Sequence, residues 1–257
     1  MTNFAYSAVL IAFERGVDKL GSERKFREFV PVVVRLTIPL SCPLWSSDRD
    51  GVYLGYVGKM MMQTGKIARV ETEDDFNAAI ATLVMAFTID PVARWMYHGK
   101  PQAYLAGFPP LMRALGESCR RAGTVFSTAD RTAVALWMPP EAPSDDEALV
   151  RVVVETIPAN LQEEVGTLFE WTDQHRPTRP FWYLSLIGVE PGATGQGRGS
   201  ALIEQGLRLV DASHSPAYLW ASNPANVPLY QRHGFATVAS TRIGSSPEIF
   251  AMLRSAT

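Results

Sequence analysis

Phe181-Trp182-Tyr183-Leu184-Ser185-Leu186-Ile187-Gly188-Val189-Glu190-Pro191-Gly192-Ala193-Thr194-Gly195-Gln196-Gly197-Arg198-Gly199-Ser200 joins two pieces of opposite character. The first part is aromatic and apolar between Pro180 and Pro191, the signature of a buried strand. Beyond the glycines, Ala201, Leu202, Gln205, Leu209 and Val210 recur at helical spacing, with small and charged residues between them. A glycine-rich loop therefore carries a strand into a helix, with Gly195, Gly197 and Gly199 at alternate positions. Glycines let a backbone approach a ligand closely, and the first turn of a helix offers unpaired N–H groups to an anion. The expected guest is a phosphate or pyrophosphate.

Spacing separates the loops that do this. A Walker A loop places a lysine after its last glycine, and none follows here. A dinucleotide fingerprint reads Gly-x-Gly-x-x-Gly, with an acid at the end of the next strand. Here the spacing is Gly195-x-Gly197-x-Gly199, and the next strand, Ala217 to Ser222, ends in Asn223. Val189-x-Pro191 followed by these three glycines resembles the coenzyme A pyrophosphate loop of the GNAT superfamily of acyl-CoA-dependent N-acyltransferases. The segment from Leu219 to Phe235 resembles that family's second half: a strand, an asparagine-led helix with Asn223 and Asn226, Tyr230, then Gly234-Phe235 opening another strand. One departure is Thr194, where the family usually carries Gln or Arg. Its contribution there is largely through backbone N–H, so phosphate affinity is expected to lean on Arg198.

The resemblance implies an α/β (α+β) GNAT fold: a mixed, mostly antiparallel sheet, splayed between its fourth and fifth strands and flanked by helices. It also implies an N-acetyltransferase that moves an acetyl group from acetyl-CoA to a primary amine of a small molecule, without a covalent enzyme intermediate. Coenzyme A would pair with the freed backbone of the fourth strand like an added strand. Main-chain N–H groups among Ile187, Gly188 and Val189 would polarise the thioester carbonyl. Thr194, Gly195, Gln196, Gly197, Arg198, Gly199 and Ser200 would hold the pyrophosphate, and Asn226, with Asn223 as cap or ligand, the pantetheine. Tyr230 matches the family's general acid for the leaving thiolate; a phenol near ~10 can serve a thiol near ~8.5. No metal is implied. Phe181 to Val189 hold neither acid nor histidine for a general base. Glu190, Ser185 through a water, and a substrate arriving partly deprotonated stay open. A non-catalytic acyl-CoA-binding module and a protein or peptide N-acetyltransferase are the competing readings.

The whole chain sets the outer limits. Its 257 residues, 47% apolar, can bury a sizeable core, and a net charge of −2 argues against a nucleic-acid partner held by bulk electrostatics. Cys42 and Cys119 form no Cys-x-x-Cys pattern, and His98, His175, His214 and His233 are scattered, so the expectation is a cytoplasmic, metal-free protein. No stretch reads as a membrane span or signal peptide. A homodimer is one assembly left open.

Residues 1–59 show no likeness to the family and read as an extension: upstream sequence from an early start codon, or an arm packing on the domain. The acyltransferase domain is expected over 60–257. It opens with a strand at Lys66–Val70 and a helix capped by Thr72, whose face is Phe76, Ile80, Leu83 and Phe87. Residues 101–122 read as a helix interrupted at Pro109-Pro110. Trp95, Tyr97, Tyr104 and Phe108 are ordinary core aromatics or an acceptor pocket. Thr124–Thr128 and Ala133–Met138 read as a hairpin. A helical insertion at about 141–180 starts with a capping box at Ser144-x-x-Glu147 and is expected to cover the acceptor side. Asp145-Asp146-Glu147 and Glu163-Glu164 read as helix-start or solvated-face charges, and His175 as a solvated loop residue.

Overall fold

The computed structural model describes residues 66–256 apart from 141 and 144. The expectation for residues 1–59 lies outside the described residues. Among the described residues seven strands form one sheet in the order β1-β2-β3-β4-β5-β7-β6. They are β1 (Ile67–Arg69), β2 (Val125–Thr128), β3 (Ala133–Met138), β4 (Trp182–Val189), β5 (Ala217–Ala221), β6 (Ala236–Thr241) and β7 (Ile249–Arg254). Every neighbouring pair is antiparallel except β4 and β5, which run parallel. That parallel pair holds for only two steps, Trp182 beside Ala217 and Tyr183 beside Tyr218. β4 continues to Val189 and β5 to Ala221 without meeting again, so the sheet opens there.

Alternation along β3 shows how the layers are built. Val134 and Leu136 enter one apolar cluster, and Ala133, Ala135 and Trp137 enter another on the opposite face. The first face is covered by α1 (Glu73–Ala86), α2 (Pro91–Met96), α3 (Pro101–Arg121), α4 (Asp146–Thr156) and α5 (Gln162–Gln174), and the second by α6 (Arg198–Ala212) and α7 (Val227–Arg232). The second face is tight. A Cβ on Gly206 of α6 would stand 2.0 Å from Trp137 Nε1, so only glycine lets this helix seat on the indole.

Local chemistry starts these helices. Thr72 Oγ1 accepts from Asp75 N, as expected, and Phe76, Ile80 and Leu83 are buried. Phe87 falls beyond α1, in a 3₁₀ turn. α3 runs through Pro109 and Pro110 to Arg121 without ending. Ser144 of the expected capping box lies outside the described residues; the N-cap of α4 is Asp145, whose Oδ1 accepts from Ala148 N at 3.0 Å. Aspartate caps as well as serine, and this start turns Leu149, Val152 and Val153 toward the core. Glu164 is likewise not a solvated-face charge, since its Oε2 accepts from the N and Oγ of Ser245, tying α5 to the turn between β6 and β7. His175 caps α5, its ring 4.2 Å from that of Trp171. Among the described residues no helix is long and apolar enough to cross a membrane.

Candidate active site

Where β4 and β5 part, a cavity of about 1010 Å³ runs through the opening from the glycine loop to the face covered by α1 to α5. That lies at the upper end of small-molecule sites, with room for two reactants. Of the residues expected to bind cofactor, Ile187, Gly188, Val189, Thr194, Gly195, Gly197, Arg198, Gly199, Ser200, Asn223 and Asn226 all line it, as does Tyr230. Gln196 does not; its Oε1 accepts from Arg198 Nε and Nη2. The 141–180 segment contributes Leu149, Leu168 and Phe169 to the far wall.

The loop is built to leave main-chain donors free. After a 3₁₀ turn at Pro191–Ala193, Gly195 and Gly197 adopt φ of 77° and 76°, a region in which side-chain-bearing residues are strained. Neither glycine has an atom within 4 Å of where a Cβ would stand, so space lies open beside the chain. Gly197 is the N-cap of α6, and the first intrahelical bond runs from Ala201 N to Gly197 O. The N–H groups of Arg198, Gly199 and Ser200 thus have no partner within the helix, and they suit a diphosphate.

The Arg198 side chain is held within the protein. Its Nη1 donates to Asp130 and to Thr132 Oγ1, and its Nε and Nη2 donate to Gln196. The guanidinium rivets α6 to the β2–β3 turn, leaving its backbone N–H for a phosphate. Thr194 Oγ1 donates to Pro191 O within the loop, consistent with a main-chain role for that residue.

Backbone parity on β4 decides which amides face the opening. Glu190 N donates to Thr132 O toward β3, so by alternation Gly188 and Leu186 also face β3, while Ile187 and Val189 turn their N–H groups toward the gap. Gly188 serves packing instead: a Cβ there would stand 2.7 Å from Ala86 Cβ.

Tyr230, on α7, is 5% exposed, and among the described residues its hydroxyl has no hydrogen-bond partner although the residue lines the cavity. Burial, with a further push from the charge of Asp90, raises its pKa well above the ordinary tyrosine value. Asn223 Oδ1 accepts from Ala225 N, which makes it the cap of the turn before α7. Asn226 makes no capping bond and keeps its amide free.

Two residues eluded the sequence reading. Asp90, the N-cap of α2, is the one charged residue buried among those described. Its Oδ1 accepts from Val92 N and Ala93 N at 2.9 and 3.0 Å, and its Oδ2 accepts from Ser222 Oγ at 2.6 Å. Burial raises its pKa, against the lowering effect of those bonds. Asp90-Pro91 is a legible cap, but its meeting with Ser222 just past β5 spans 132 residues. Of the alternatives for a base, Ser185 lines the cavity, its hydroxyl donating to Leu115 O, whereas Glu190 does not line it.

Comparison with known proteins agrees with this geometry. Residues 117–235 match the family model described as Acetyltransferase (GNAT) family. An uncharacterized N-acetyltransferase of Schizosaccharomyces pombe is 30% identical over 189 residues, 65% of this chain and 72% of that protein. Mycothiol acetyltransferase of Streptomyces avermitilis is 42% identical over 82 residues, 30% of this chain and only 26% of that protein. In fold, the chain is similar to the histone acetyltransferase HPA2 and related acetyltransferase of Corynebacterium glutamicum, with TM-score 0.55 and 24% identity over 75% of this chain and 96% of that one.

Proposed function

The chain belongs to the acetyltransferase (GNAT) family and is an acyltransferase, and from that premise we propose that it moves an acetyl group from acetyl-CoA to a primary amine of a small molecule by direct attack. The observation that carries this reading is the parting of β4 from β5 beside the glycine loop, with Tyr230 in the wall of the cavity it creates. Acetyl-CoA supplies a thioester activated for attack. The main-chain N–H groups of Arg198, Gly199 and Ser200, with Thr194 to Gly197, hold its diphosphate. Asn226 and the freed edge of β4 hold the pantetheine, with Asn223 shaping the turn before α7. The N–H groups of Ile187 and Val189 stand where negative charge develops on the carbonyl oxygen.

Tyr230 donates the proton that the departing sulfur needs. Direct attack fits the lining, which contains neither cysteine nor histidine among the described residues. Cys119 lies in the core, its thiol pushed up to about 12 by burial. A free, reduced cysteine also fits the cytoplasmic setting that is part of this reading.

Calorimetry with acetyl-CoA, followed by thiol release across a panel of amines, tests the proposal. Acetyl-CoA should bind and thiol should appear only when an amine is present. Binding with no turnover on any small amine, protein or peptide would leave a non-catalytic acyl-CoA module. Turnover confined to polypeptide amines would move the enzyme to protein substrates.

A further inference from the structure

We infer that the acceptor is a primary amine with a single cationic head and an extended apolar body, its ammonium seated on the Asp90–Ser222 pair. This deepens the proposed function and rests on it. Three observations converge. First, Asp90 is a cavity-lining carboxylate, 7% exposed, and among the described residues no basic side chain pairs with it. Its oxygens already accept three hydrogen bonds, two at Oδ1 and one at Oδ2. One lone pair on Oδ2 remains, and Ser222 Oγ, having donated its proton to Asp90, is left as an acceptor. An uncompensated buried carboxylate beside a hydroxyl acceptor suits an ammonium group.

Second, an apolar stretch of the wall on the α1–α5 face has no side-chain hydrogen bonds left to offer, although Arg176 Nε, elsewhere in the lining, has no partner among the described residues. The stretch is formed by Trp95, Phe108, Leu111, Leu168, Phe169 and Trp220. Trp95 Nε1 donates to Ser245 Oγ and Trp220 Nε1 to Tyr183 Oη, both at 2.9 Å, so each indole presents only its apolar surface. A polar acceptor body would lose its water here and gain nothing in exchange.

Third, the other acids of the lining are unsuited to a second cationic group. Asp173 pairs with Arg176 at 2.7 Å, Asp145 caps α4, and Asp146 is exposed. A polyamine would have to place its further charges against the apolar stretch or carry them past it to the exposed Asp146.

The pair also has a place in the proton balance. The ammonium N–H breaks toward Ser222 and Asp90, an O–H forms on Asp90 Oδ2, and the freed nitrogen lone pair attacks the thioester carbonyl. The C–S bond then breaks and Tyr230 passes its proton to the sulfur. The nitrogen's second proton restores Tyr230, and Asp90 returns its own to solvent. Asp90 is faced by Ser222 just past β5, the Val92 and Ala93 amides of α2, and the phenols of Tyr104 on α3 and Tyr230 on α7, both raised by burial and by its charge.

The test is a ladder of 1-aminoalkanes from ethylamine to hexylamine, set beside 2-phenylethylamine, putrescine, spermidine and glucosamine, with acetyl-CoA binding measured separately. kcat/KM should rise about 4-fold per methylene and be about 100-fold lower for putrescine than for pentylamine. Asp90→Asn keeps the capping oxygen and removes the charge. It should lower kcat/KM for hexylamine about 100-fold while leaving the affinity for acetyl-CoA unchanged. Its remaining kcat/KM should climb about tenfold per pH unit below the amine's pKa, because the neutral amine must then come from solution, whereas the wild type stays flat. A flat ladder, a preference for spermidine or glucosamine, or an Asp90→Asn enzyme with wild-type kcat/KM and pH profile overturns the inference. Binding of acetyl-CoA with no alkylamine acetylated sinks the acceptor class alone; failure to bind acetyl-CoA sinks the proposed function beneath it.

Discussion

Tyr230→Phe separates chemistry from architecture. The ring packs against Phe235, centroids 6.4 Å apart, and phenylalanine keeps that contact. What disappears is a hydroxyl that has no protein partner among the described residues and borders the cavity. Stability should therefore change by no more than about 0.5 kcal/mol, or about 2 °C in Tm. Tyr104 is the control: its hydroxyl donates to Val84 O at 2.6 Å, and Tyr104→Phe should cost about 1 kcal/mol. Turnover of Tyr230→Phe should fall about 100-fold or more, about 2.7 kcal/mol of lost barrier lowering, with donor affinity intact. Thiol release at saturating acetyl-CoA, calorimetry and thermal melts read the three quantities. Burial, and secondarily Asp90, hold the phenol above its ordinary pKa of 10.0, so its acid form persists on the alkaline side and kcat should not decline below about pH 10 on its account. A kcat within threefold of wild type, or a loss tracking a Tm drop of several degrees, would refute the assignment.

Gly197→Ala forces a side chain into φ of 76° and should cost about 1 kcal/mol of stability while weakening acetyl-CoA binding about tenfold by calorimetry. Arg198→Gln should cost about 1 kcal/mol in chemical denaturation at pH 7, since the guanidinium joins Asp130 and Thr132. Burial works upward on Asp130, but its bonds from Arg198, Thr128 and Thr132 outweigh that and hold it below 3.8, so this stabilisation is present above 3.8 and fades as the pH falls through the depressed value. Gly206→Ala should cost about 3 kcal/mol or more in the same assay, because its Cβ would overlap the indole of Trp137. Asp90 is raised in the folded protein, so the stability its titration contributes is present below 3.8 and lost as the pH rises through the raised value. Asp90→Asn should therefore melt higher than wild type at pH 7, by about 1 kcal/mol, and lose that gain near pH 3.5.

What was legible in the sequence was what neighbouring residues decide. The strand, loop and helix from Phe181 to Val210 follow from apolar runs and glycine spacing, and Gly195 and Gly197 carry the positive φ that such a loop needs. The opening of the sheet came from the resemblance, and the structure bears it out through β4 and β5. The misreadings share one cause. Arg198 was expected to carry phosphate affinity, and nothing near it in sequence announced that Asp130, 68 residues away, engages its guanidinium. Glu164 looked solvated, but Ser245, 81 residues on, donates to it twice. Asp90 drew no reading at all, because what singles it out is Ser222, 132 residues away. Local pattern specifies elements, whereas a charge's partner depends on which loop ends the fold brings together.

In the proposed mechanism that distance matters, because it puts Asp90 and Tyr230, the two groups assigned to handle protons, on separate elements yet within electrostatic reach. The charge on Asp90 helps to raise the pKa of Tyr230, and the same interaction energy must raise that of Asp90 when Tyr230 ionises. Before the amine arrives, burial first and the charge of an ionised Asp90 second keep the phenol a poor acid. In the proposed mechanism, Asp90 loses its charge on taking the ammonium proton, which lifts the smaller of these two effects while burial still holds the phenol above its ordinary value. A carboxylate on β4 itself would lie beside the amides of Ile187 and Val189 and oppose the negative charge they are proposed to stabilise. Setting the carboxylate at the cap of α2, with Ser222 between it and the end of β5, would let the proposed site collect a proton on one side of the opening and release another on the other.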